Sequence, residues 1–150
     1  MNLLELLTND MKAAMKDRDS FRLGVIRMAK GAMSLDAINK KRDLTDEEMI
    51  DVIIKQIKLR KDSILEFSKA GRNDLVEQNE KEIEILNKYL PEQLSMEEVN
   101  AIIDDVISLL KPTSVKDMGK VMKEVTPKVK GRFDVSIVSN MIKEKLTDLN

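Results

Sequence analysis

The chain has 150 residues, with 26 Lys and Arg against 27 Asp and Glu, a formal net charge of −1, 42% apolar residues and 3% aromatic ones. It contains neither Cys nor His, which removes disulfides, thiol chemistry, zinc sites and imidazole acid–base or nucleophile-activating roles. The near-neutral balance excludes a wholesale polyanion binder, so any nucleic-acid contact must be a local patch, and the scarcity of aromatics argues against base-stacking platforms.

The apolar set is Leu, Ile, Val, Met and Ala, and with only 5 Gly and 3 Pro the composition is all-α. No apolar run approaches the roughly 18 residues of a membrane-spanning helix. The start, MNLLELLTNDMKAAMKDRD, is amphipathic and carries acids where a signal peptide would be apolar. These features set the expectation of a cytoplasmic protein with no membrane contact.

The first helix is predicted over residues 2–16, with Leu3, Leu6, Leu7, Met11 and Ala14 as its apolar stripe. Asp19 or Ser20 caps a second helix reaching to about residue 41. Its inner face is read as Phe21, Val25, Met28, Ala32 and Leu35, with Gly24 and Gly31 allowing close helix packing. Met11, Met15, Met28 and Met33 are read as core. Thr45 and Glu48 form a capping box that opens a third helix, 46–70, striped by Ile50, Ile53, Ile54, Ile57 and Ile64. Lys55, Lys58, Arg60 and Lys61 crowd its middle, as a solvated face or a second basic patch. Gly71 stops it. A fourth helix, 73–89, carries Glu77, Glu80, Glu82 and Glu84 and can pair with the third as an antiparallel hairpin.

Pro91-Glu92-Gln93-Leu94 is the expected boundary between an N-terminal helical region, 1–93, and a three-helix bundle, 94–150. Ser95 and Glu98 form a second capping box before a fifth helix striped by Val99, Ile102, Ile103, Val106, Ile107 and Leu110. Ser114 caps the next helix. Asp134 caps the last, with Ile137, Val138, Met141, Ile142 and Leu146 inward.

The stretch with the clearest functional content lies inside this bundle: KDMGKVMKEVTPKVKGR, Lys116 to Arg132. At helical periodicity Lys116, Lys120 and Lys123 fall within about 60° of one another, opposite Met118, Val121, Met122 and Val125. Pro127 is expected to break the helix, leaving Lys128, Lys130 and Arg132 in a basic turn closed by Gly131. The segment holds six cations against Asp117 and Glu124. Lys and Arg in this density neutralise phosphates; Gly119 and Gly131 would let a backbone amide approach one, or serve only packing and a left-handed turn. Few Asn or Gln flank the patch, so backbone and shape would dominate over base readout.

Three stretches carry a family resemblance: RKDSILEFSKAGRNDL (60–75), EKEIEILNKYLPEQLS (80–95) and, most specifically, KDMGKVMKEVTPKVKGRFD (116–134). The chain resembles the YqeY family, which shares its C-terminal bundle with the tail of the GatB subunit of tRNA-dependent amidotransferases. The resemblance implies an all-α fold: an elongated N-terminal helical region of about four helices, then a small three-helix bundle. It also implies contact with tRNA or another structured RNA, or with a synthetase or amidotransferase protein partner. Carbon–nitrogen ligase activity using glutamine as amido donor would come only by association with that assembly. The close acid pairs of the bundle, Glu97-Glu98 and Asp104-Asp105, point about 100° apart on a helix and do not converge on one proton or metal. No catalytic residue, metal site, cofactor or small-molecule substrate is therefore assigned. The expected function is a non-catalytic RNA-binding module, with a protein-interaction adaptor as the alternative.

Overall fold

The computed structural model describes residues 2–149. Those residues form seven α-helices and one short 3-10 helix, with no strand among them: α1 Leu3–Lys16, α2 Ser20–Lys40, α3 Asp46–Lys69, α4 Asn73–Asn87, α5 Met96–Leu110, the 3-10 turn Val115–Asp117, α6 Met118–Val129 and α7 Val135–Thr147. The all-α expectation holds. The chain divides into two compact units, with the division between Leu90 and Pro91.

In the first unit the helix boundaries follow side-chain chemistry. Asn2 and Asp19 cap α1 and α2 by accepting from the N–H groups of Glu5 and Arg22. Thr45 and Glu48 form the expected reciprocal capping box at α3, with Thr45 N donating to Glu48 Oε1 at 3.0 Å and Glu48 N to Thr45 Oγ1 at 3.2 Å. Gly71 ends α3 at φ +72°. There Gly71 N donates to Ser68 O and Arg72 N to Phe67 O, the bond pair of a Schellman motif. The core is Leu7, Val25, Ile26, Ala29, Met33, Leu44, Met49, Val52, Ile53, Ile57, Leu86 and Tyr89. Tyr89 donates its hydroxyl to Asp10 at 2.6 Å, which ties the end of α4 to α1.

Several expected inward residues face out. On α2 the buried face is Val25, Ile26, Ala29 and Met33, whereas Phe21, Met28 and Leu35 are exposed. Helix α2 carries apolar residues on two faces; periodicity finds both, and only the neighbouring helices select one. Met28 leaves the core for the same reason, and on α1 Leu6 and Met15 are exposed. Gly24 and Gly31 sit on the outer face with nothing within 4 Å of an added Cβ, so they serve no close packing inside the unit. Arg60 is not part of a surface patch. It is buried between α3 and α4, donating to Gln56 O and Gln56 Oε1 at 3.0 Å each, and it faces Glu82 at 3.5 Å.

The second unit is a three-helix bundle. Its core comprises Leu94, Val99, Ile103, Val106, Val121, Val125, Val129, Val138, Ile142 and Leu146. Ser95 and Glu98 cap α5 reciprocally, and Asp134 caps α7 by accepting from Ser136 N at 2.9 Å. Leu110 and Ile137, both expected inward, are 41% and 42% exposed at the rims of their helices.

Candidate nucleic-acid interface

The segment 115–132 is built in three pieces. Ser114 caps the 3-10 turn Val115–Asp117, accepting from Lys116 N at 3.2 Å, rather than opening α6 directly. Asp117 turns back and accepts from Thr113 N at 2.8 Å and Thr113 Oγ1 at 3.3 Å. The Thr113 amide holds the Asp117 carboxyl below the usual carboxylate range, and the Lys120 charge adds to this. Helix α6 then runs from Met118 to Val129 and buries Val121, Val125 and Val129.

Pro127 does not break this helix. It lies inside α6, and the helix continues to Val129. Proline removes only its own N–H, and Lys130 N still reaches Thr126 O at 2.9 Å, so one helical bond is lost rather than the turn. The consequence is geometric. Lys128, expected in a loop, is carried on α6 itself.

Lys116, Lys120, Lys123 and Lys128 are all exposed, and none has an ion pair among the described residues. Lys120 and Lys123 lie on the face opposite the buried valines, with Lys128 on its flank. Exposed Glu124 stands one turn from both Lys120 and Lys128 on that same side, so it dilutes the local positive potential. Gly119, in the first turn of α6, is exposed with open space where a Cβ would stand.

The remaining expected residues form a different structure. Lys130, with φ −58° and ψ 128°, and Gly131, with φ +74°, occupy the central positions of a type II turn, closed by Arg132 N donating to Val129 O at 2.8 Å. Gly131 is buried and Lys130 half-buried. Arg132 donates through Nε to Glu92 O at 3.1 Å, and its carbonyl accepts from Leu94 N at 2.8 Å. Gln93 Nε2 bridges Pro91 O and Gly131 O, both at 2.8 Å. The turn is thus stitched to residues 91–94. Neither Thr113 nor Gln93 stands out in the sequence as a positioning residue. Both act through polar contacts across loops, which carry no periodic signal.

Two smaller features bound the chemistry of the surface. Lys145 of α7 pairs with Asp104 of α5 at 2.7 Å, so it is not a spare cation. No group of three or more Asp and Glu among the described residues could hold a metal ion, and no helix among them is long and apolar enough to cross a membrane.

An all-helical chain ending in a three-helix bundle with a lysine-bearing helix face is the class defined here. The chain belongs to the YqeY family, described as Yqey-like protein, whose sequence profile matches residues 4–146. It is similar to proteins named Altered inheritance of mitochondria protein 41, mitochondrial. The one from Kluyveromyces lactis is 40% identical over 109 residues, 70% of this chain and 58% of that protein. The one from Pyrenophora tritici-repentis is 30% identical over 145 residues, 95% of this chain and 80% of that protein. The one from Saccharomyces cerevisiae is 34% identical over 114 residues, 75% of this chain and 61% of that protein. The match thus spans less than two thirds of the yeast relatives. These names overturn the cytoplasmic location expected from the sequence. That expectation rested on signal-peptide and membrane-span features, which report on secretion and insertion and do not separate cytoplasm from mitochondrion.

Proposed function

We propose that the second unit binds structured RNA, tRNA in the first instance, through the phosphate backbone. The observation that carries this reading is the set of four exposed lysines with no ion pair among the described residues, held by α6 and the 3-10 turn with a buried valine face behind them. A rigid helix fixes the spacing of the ammonium groups, and each phosphate contact releases condensed counterions. The half-buried Arg132 at the edge of the turn adds a planar fork suited to phosphate. With no aromatic ring on this helix, recognition reads shape and backbone rather than base identity.

Catalysis plays no part in this role, and an amidotransferase relation would be one of assembly: the bundle contacts RNA while other proteins do the chemistry. The experiment is a tRNA binding titration at low and moderate salt, comparing the wild type with Lys120→Glu/Lys123→Glu. Both positions are exposed, so the bundle core stays intact. Expected are low-salt binding by the wild type and at least tenfold weaker binding by the variant. Equal affinities, or no wild-type binding at low salt, would sink the proposal.

A further inference from the structure

Helix α2 carries two apolar stripes, and the first unit uses one. Val25, Ile26, Ala29 and Met33 are buried in it. On the other side Phe21, Met28, Leu35 and Ile38 are 40%, 55%, 61% and 70% exposed, with the Met28 sulfur at its edge 3.8 Å from Arg60 of α3. Gly24 and Gly31 lie among them, each with open space where a Cβ would stand. Glycine inside a helix carries a conformational penalty, and nothing within the unit compensates for it here.

These residues repeat with a seven-residue period. Phe21, Met28 and Leu35 occupy one heptad position, and Gly24, Gly31 and Ile38 the other, three residues on. That is a/d-type spacing, carried from Phe21 to Ile38 over about two and a half heptads. The seam also matches itself. With a second α2 laid antiparallel and the two-fold axis between Ala29 and Lys30, Met28 faces Gly31 of the second copy. Leu35 then faces its Gly24, Phe21 faces its Ile38, and symmetry repeats each contact. Two of the three large side chains at the first position thus lie over a glycine, which brings the helix axes close. At the flank Arg27 of one copy falls beside Ser34 of the other, so no like charges meet across the seam. An unrelated partner helix gives no reason for a register that is complementary to itself.

We infer that this face of α2 is a self-association surface, where two copies of the chain pair antiparallel through the Phe21–Ile38 stripe. The four exposed apolar side chains offer on the order of 400 Å² per copy, the scale of a functional patch on a monomer and about half of a standard interface. The dimer is therefore weak and reversible.

The chain lacks cysteine, which makes the register testable by cross-linking. Arg27→Cys and Ser34→Cys chains are mixed under oxidising conditions, and sedimentation velocity is run on the wild type, Leu35→Lys and Gly31→Ala. Expected are a wild-type monomer–dimer equilibrium by about 100 μM and at least tenfold weaker association in both seam variants. Both variants should keep full helicity by circular dichroism, since each side chain projects into open solvent in the monomer. Disulfide cross-links should join Arg27→Cys chains to Ser34→Cys chains in preference to like with like. A wild type that stays monomeric at that concentration, seam variants that associate as well as the wild type, or dominant like-with-like cross-links would each overturn the inference.

Discussion

Arg60→Ala should be among the most damaging single substitutions in the first unit. Arg60 is 6% exposed, and the side chain of its ionic partner Glu82 is 12% exposed. Arg60 donates to Gln56 twice, faces Glu82 on α4, and reaches Met28 Sδ at 3.8 Å on α2, so one side chain joins three helices. Its Nε has no partner, so the site already lacks one of the hydrogen bonds that would offset desolvation. Removing Arg60 leaves Glu82 with no counter-charge in a largely dry position, and the aliphatic stem's packing goes with it. Breaking a buried pair from one side costs about 3–5 kcal/mol; with a 3.5 Å contact and a small residual exposure, the lower end applies, about 3 kcal/mol. For a unit of this size that corresponds to a drop of roughly 12–24 °C in Tm. The double variant Arg60→Met/Glu82→Leu removes both charges and keeps the volume, and should recover most of the loss. The assay is intrinsic fluorescence on denaturant unfolding. Tyr89 is the only tyrosine, there is no tryptophan, and Tyr89 belongs to the first unit's core, so the signal reports that unit alone. A loss below about 1 kcal/mol for Arg60→Ala, the scale of an exposed pair, would refute the description of this contact as a buried clamp.

The turn between α2 and α3 should make the first unit acid-sensitive. Hydrogen bonds from Arg42, the Thr45 amide and Lys40 hold the Glu48 carboxyl far below the usual range. A depressed folded value means that the contribution is present above the ordinary glutamate range and is lost as pH falls through the folded value; the denaturant midpoint should drop on acidification, and less steeply in Glu48→Gln. Two glycines of the second unit should respond in opposite directions. Gly119→Ala meets open space in a helix and should stabilise by up to about 1 kcal/mol. Gly131→Ala, at φ +74°, should destabilise by roughly 1–2 kcal/mol. Thermal melts of the two variants check both signs.

What the sequence disclosed was local chemistry. Both capping boxes, the glycine stop at Gly71 and the inward Val121 and Val125 of α6 depend on residues within a few positions of one another, and all were legible; Val129 was hidden behind the break expected at Pro127. What it hid was the choice between equivalent local options. Helix α2 has two apolar faces, and only α1, α3 and α4 decide that Val25 and Ala29 turn inward while Met28 and Leu35 turn out. The burial of Arg60 depends on Glu82 of the next helix, so a basic cluster in sequence became an interior ion pair in space. Pro127 misled because its cost falls on one hydrogen bond late in a helix whose core face, Val121 to Val129, is held by packing.

The same mixture governs the candidate interface. The lysines of α6 were legible from their spacing opposite the apolar residues. The turn at Gly131, with its left-handed glycine, was legible as well; its anchoring was not, because Gln93 and Glu92, some forty residues earlier, bond to Gly131 and Arg132. Six cations read as one patch therefore separate into four exposed lysines on a helix and turn, and Lys130 and Arg132 on a turn stitched to the start of the bundle.

The salt dependence of tRNA binding counts the phosphate contacts of the four lysines. If Lys116, Lys120, Lys123 and Lys128 each contact a phosphate, the logarithm of the association constant should fall with the logarithm of salt concentration at a slope of roughly −2.8 to −3.6. Replacing Lys120 and Lys123 with alanine should flatten that slope by about 1.4–1.8. A wild-type slope near zero, or a slope left unchanged by the double replacement, would contradict the account.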